Sequence, residues 1–119
     1  MSAEVDRLLV TWDRFTVALR MNEGFNGTAY AELRSALTDL TAAWQGMDAL
    51  PRLGVNVLVD IVPTVDAMTM SYPAPTSSKI GEAVFELQEL IAECVALSEQ
   101  DVEYVENLSD GSSDSDPSA

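Results

Sequence analysis

Val55-Asn56-Val57-Leu58-Val59-Asp60-Ile61-Val62 decides the fold, because it reads equally well as strand and as helix. The run is β-branched and partly alternating, which suits a strand. A strand needs a pairing partner, and no other stretch of the chain reads as one. The same residues also fit a helix from 51 to 71. Leu50-Pro51 provides a helix start with proline at the first position, and Val55, Leu58, Val62, Val65 and Met68 recur at helical spacing. Pro63 is expected to kink or divide that helix. The segment is therefore read as helical, and the whole chain with it.

Upstream, residues 28–45 form the clearest helix. Tyr30, Leu33, Leu37, Leu40 and Trp44 step by three and four along one seam, with Thr28 as the expected cap and Gly46 as the stop. Residues 3–20 place Val5, Leu8, Leu9, Trp12, Phe15 and Leu19 on one face, with Ser2 as cap. Between these helices, Asn22-Glu23-Gly24-Phe25-Asn26-Gly27 is a turn. Downstream, Tyr72-Pro73-Ala74-Pro75-Thr76-Ser77 is an extended connector. A last helix is expected over 78–108, capped by Ser77 or Ser78. Ile80, Val84, Leu87, Ile91, Cys94, Val95, Val102 and Val105 make its apolar side. Phe85, Leu90 and Leu97 widen that side, which fits either core or a homodimer interface.

These elements imply an all-α fold: a compact antiparallel bundle of about four helices over 1–108, followed by a disordered Ser/Asp tail at 109–119. With 119 residues, 47% of them hydrophobic, the chain can build one core without disulfide or metal. No uninterrupted apolar run suggests a membrane span, and the start at Met1-Ser2-Ala3-Glu4 lacks the basic and apolar regions of a signal peptide. The expected location is cytoplasmic.

Charge is distributed unevenly. Twenty acidic residues oppose six basic ones, for a net of −14. All six bases lie within residues 1–79, which carry a net of −3, and residues 80–119 hold eleven acids and no base. Such a field repels nucleic acid and anionic membrane, so neither is an expected partner, and it favours a cationic protein surface. Glu82, Glu86, Glu89 and Glu93 step by four, three and four along the last helix and form an acidic stripe. These four are the expected partner-binding residues.

The chain contains no histidine. That removes the commonest general base and metal ligand, and with them a Ser-His-Asp triad or a Cys-His pair. Cys94 sits on an apolar face and reads as a core thiol. Glutamates on bundle helices hold di-metal centres together with Glu-x-x-His motifs, which are absent here. The tail lacks the order of a calcium loop, and no glycine-rich phosphate loop is present. No cofactor, no metal and no enzymatic activity are expected. The reading is a non-enzymatic acidic protein-binding module of the adaptor, inhibitor, immunity, antitoxin or phage-assembly kind, engaging a basic partner through its last helix. A DNA-mimic inhibitor of a nucleic-acid-binding protein is the first alternative.

The second alternative comes from a local resemblance. Leu37-Thr38-Asp39-Leu40-Thr41-Ala42-Ala43-Trp44-Gln45-Gly46 resembles the helix end and turn of the WXG100 family of secreted helical hairpins. The resemblance implies a secreted helical protein with a helical partner. The chain departs from the family pattern in three ways. Gly24 and Gly27 interrupt the first helical region, and Pro51, Pro63, Pro73 and Pro75 divide the second. The C-terminal Tyr-x-x-x-Asp/Glu signal is missing, since Leu108 stands four residues after Tyr104.

Overall fold

The structure is a computed structural model that describes residues 2–114, with side chains described from 2 to 109. It is all-helical. Helix α1 spans Ala3–Arg20, α2 Gly27–Trp44, α3 Arg52–Met68, α4 Thr76–Cys94 and α5 Glu99–Asp114; a 3-10 turn at Thr69–Ser71 extends α3. No strand occurs among the described residues, so the Val55–Val62 run is helix.

Local chemistry explains most of the boundaries. The Ser2 hydroxyl accepts from the Val5 amide at 3.3 Å and caps α1 as expected. Asn26, rather than Thr28, caps α2: its side-chain oxygen accepts from the Ala29 amide at 3.0 Å. Asn26 is extended at φ −83° and ψ 100°, the geometry a capping residue needs, which moves the helix start one residue earlier. Gly46 follows α2 with φ +82°, a conformation that costs glycine little. Pro51 precedes α3 rather than opening it, and α4 starts at Thr76 with no side-chain cap, not at Ser77 or Ser78.

Pro63 does not divide α3, which runs unbroken from Arg52 to Met68. Proline removes the bond to the carbonyl four residues earlier, that of Val59. Val59 and Pro63 both face solvent, so water can satisfy that carbonyl. The buried face of α3 is Gly54, Val57, Leu58, Ile61 and Val65; Val55, Val62 and Met68 flank it half-buried. Arg52–Ser71 is long and apolar enough to cross a membrane by length and composition, with a mean hydropathy of 1.4. In this fold it turns one face into the core and carries Asp60 and Asp66 on the outside.

The expected last helix is two helices. α4 ends at Cys94, residues 95–98 are non-helical, and α5 begins at Glu99. A reciprocal capping box starts α5. The Asp101 amide donates to Ser98 Oγ at 3.1 Å, and the Ser98 amide donates to an Asp101 carboxylate oxygen at 3.3 Å. Val102 and Val105 therefore do not extend the apolar side of α4. The segment 109–114, expected as tail, continues α5, and the remaining tail residues, 115–119, lie outside the described residues.

Helix α1 packs on α2 and α3, and α4 packs on α2 and α3, so each of the four touches two others. Among the described residues no helix packs on α5. The radius of gyration is 18.2 Å, against roughly 13–14 Å for a compact chain of this length, as a projecting arm requires. The core contains Val5, Leu8, Phe15, Leu33, Leu37, Leu40, Ile61, Val65, Ile80 and Leu87. Phe25, from the turn after α1, packs edge-on to Phe15 at 5.6 Å and tilted to Tyr30 at 5.2 Å. Tyr72 in the connector secures the same turn: its hydroxyl donates to the Leu19 carbonyl at 2.8 Å and accepts from the Gly24 amide at 3.2 Å.

Gly54 is where α3 meets the end of α2. A Cβ there would lie 2.7 Å from Cζ2 and 3.0 Å from Cη2 of the Trp44 indole, and 3.4 Å from Val5. Trp44 is only 4% exposed, and its rigid indole must shift as a whole to admit a Cβ. Gly81 in α4 has nothing within 4 Å of its virtual Cβ. Alanine in an open helical position gains about 1 kcal/mol over glycine, whereas overpacking a core costs about 1–3 kcal/mol. Gly81→Ala should therefore raise the urea midpoint and Gly54→Ala should lower it. Two shifts of the same sign would refute the Trp44 contact as the cause.

Candidate protein-binding surface

The four glutamates of the expected stripe all lie on α4, but they do not share one environment. Glu86 is half-buried and committed within the molecule. It accepts from the Tyr30 hydroxyl at 2.6 Å and pairs with Arg34 Nε at 3.2 Å. The Arg34 guanidinium also lies 5.7 Å from the centre of the Tyr30 ring. This Tyr30–Glu86–Arg34 group joins α2 to α4, so Glu86 is a structural acid. Glu82, Glu89 and Glu93 are exposed, and none makes an ion pair among the described residues. Two further pairs, Arg7 with Asp39 and Arg14 with Glu32, tie α1 to α2. Three of the six bases are thus engaged with acids, and only one of those acids, Glu86, lies beyond residue 79.

Burial, then the hydrogen bond to the Glu86 carboxylate, push the Tyr30 phenol above its ordinary 10.0. The phenol therefore stays protonated and keeps donating to Glu86. Burial likewise pushes the Cys94 thiol up from 9.0. Its sulfur donates to the Leu37 carbonyl at 3.4 Å and lies 3.2 Å from Thr41 Oγ1. The thiol is thus held away from thiolate chemistry, in agreement with the core reading.

A cleft of about 530 Å³ lies at the end of the packed helices, between the α2–α3 loop and residues 93–101. Trp44, Leu50 and Cys94 form its apolar floor, and Asp48, Glu93 and Asp101 lie around it. No lysine or arginine lines it. Among the described residues no group of acids and cysteine is arranged to hold a metal ion.

The apolar side of the expected last helix also separates into parts. Leu90 and Ile91 pack against the core. Phe85 is 73% exposed and points away from the core face, and Leu97 is exposed in the break between α4 and α5. The break was signalled locally by Ser98-Glu99-Gln100-Asp101, a capping-box pattern set inside otherwise continuous apolar spacing.

The Tyr30 contact predicts a pH effect. A phenol raised in the folded state contributes stability that is complete below 10.0 and is lost as pH climbs beyond it, because the unfolded chain releases its proton first. The Cys94 thiol adds an alkaline loss of the same sign, so the measurement belongs in a Cys94→Ala background. There, Tyr30→Phe should cost about 1 kcal/mol at neutral pH and flatten the decline in stability above pH 10 in urea titrations. An undiminished alkaline decline in the Phe variant would show that another group causes it.

Comparison of the chain with protein-family models, with curated proteins and with solved structures finds no match.

Proposed function

We propose that this chain is a cytoplasmic, non-enzymatic protein-binding module, in which α1–α4 form an antiparallel four-helix bundle that presents the acidic C-terminal region to a basic surface on a partner protein. The observation that carries the reading is the separation of charge. Exposed Glu82, Glu89 and Glu93 make no ion pair among the described residues, Lys79 being the one base that shares a pocket with Glu82, and eleven acids with no base follow Lys79. Carboxylates neutralised within a molecule attract little from outside; these are not neutralised. Complementary charge of this kind speeds encounter and selects partners more than it adds affinity. Glu86 is withdrawn from the binding set, because its charge is spent on Tyr30 and Arg34.

The test begins with crosslinking of the full chain in its native host and identification of the attached protein by mass spectrometry. Association of the purified pair is then followed at low and high salt. Replacing Glu82, Glu89 and Glu93 together by Gln should slow association about tenfold at low ionic strength. The variants should converge near 1 M salt, where the screening length falls to about 3 Å. Equal rates at low salt would remove the acidic stripe from the mechanism.

A further inference from the structure

Helix α5 has apolar residues at 102 and 105 on which no other helix packs among the described residues. Val102, Tyr104 and Val105 are 41%, 66% and 50% exposed, and among the described residues no helix packs on α5. Val102 and Val105 are one helical turn apart and share a face, and Tyr104, about 100° round the helix from Val105, stands at the edge of that face. Glu99 and Glu106, three and four residues from Val102, flank the pair along one edge, and Glu103 lies beyond them. The Asp101 carboxylate is engaged in the cap with Ser98. An amphipathic pattern in a helix that packs on nothing leaves its apolar side available to another surface.

Charge decides what that surface is. The 16 residues of α5 include six acids and no base. A second α5 laid against the first would set those acids against their copies across a contact only about 24 Å long, well short of a stable dimer interface. An anionic membrane would repel the helix. A helix this short and unpacked is marginal in water, so a partner that covers it also orders it.

We propose that α5 is a recognition helix whose Val102–Val105 face, with Tyr104 at its edge, docks on an apolar strip rimmed by lysine or arginine on a partner protein, its glutamates pairing with the rim. This rests on the reading of the chain as an acidic binding module and adds the place and the apolar component of the contact. Docking of an amphipathic helix on an apolar groove is an established recognition mode.

The test uses the full chain and, as probe, a fluorescent synthetic amphipathic peptide of leucine and lysine, which offers an apolar strip with a basic rim. The deciding variant is Val102→Glu with Val105→Glu. It adds two negative charges and raises helix propensity, while removing the apolar side. Attraction by charge alone predicts tighter binding; docking predicts binding weaker by roughly tenfold or more. Circular dichroism should show helix content retained. Replacing Glu103 and Glu106 by Gln should weaken binding and reduce its salt dependence.

Unchanged or tighter binding by the valine variant, with weaker binding by the glutamine variants, would overturn the docking helix and leave the acidic module standing. No effect from any variant, Glu82, Glu89 and Glu93 to Gln included, would overturn both. Sedimentation showing a dimer that the valine variant dissolves would make the occupant a second copy and overturn the proposal. Capture of the chain by zwitterionic lipid vesicles, lost in the same variant, would overturn it as well.

Discussion

The Trp44 indole seated on Gly54 is the contact on which the arrangement of helices depends. Trp44 ends α2, Gly54 lies in the first turn of α3, and Val5 of α1 closes the same corner at 3.4 Å from the virtual Cβ. Only the absence of a side chain lets the indole come that close. The approach brings α3 against α1, and the rest of its buried face, Val57, Leu58, Ile61 and Val65, then reaches α4 as well. A β-branched run that would suit a strand is thereby held as a helix. Its propensity cost is a few tenths of a kcal/mol per residue, small beside the burial of four large aliphatic side chains at about 1.5–3 kcal/mol each. Tertiary burial decides the conformation where local preference is divided.

Electrostatics plays a lesser part in stability than in organisation. The ion pairs of Arg7, Arg14 and Arg34 are surface pairs, each worth about 0–1 kcal/mol. Their larger effect is to place the engaged cations on α1 and α2. What remains beyond Lys79 is a pair of helices whose acids, Glu86 apart, repel one another. That repulsion gives a physical reason for α5 to stay off the packed helices: Glu99 and Asp101 already line the end cleft with Asp48 and Glu93, and folding the helix back would bring Glu103 toward the same acids, where no base lines the cleft.

Much of the fold was legible because it rests on local signals. Ser2, the heptad seam of α2 and Gly46 mark their elements through side chains within a turn of one another. The errors arose where two local signals competed. Apolar spacing continues across Val95, Leu97, Val102 and Val105, and it concealed the Ser98–Asp101 cap that ends one helix and starts the next. In α3, an alternating β-branched run fits several helical faces almost equally, so the buried face was misplaced by part of a turn. The division of the glutamate stripe was not legible at all. Glu86 differs from Glu82 only through Tyr30 and Arg34, which lie more than fifty residues away and come near only when α2 and α4 pack.

The separation of α5 from the packed helices divides the chain's apolar residues into two groups with different consequences. Those of α1–α4 lower the free energy of the folded state by leaving water. Those of α5 remain in water whether the core is folded or not, so they contribute almost nothing to its stability. Exposed valine and tyrosine on a projecting helix favour association. The acids of the same helix limit it among copies of the chain, because every copy carries the same charge. The same acids place no such restraint on a surface of opposite sign. Under the proposed docking, acidic charge and apolar side together would act as a filter, opposing self-association and permitting contact with a cationic surface. Neither feature alone would give that selectivity.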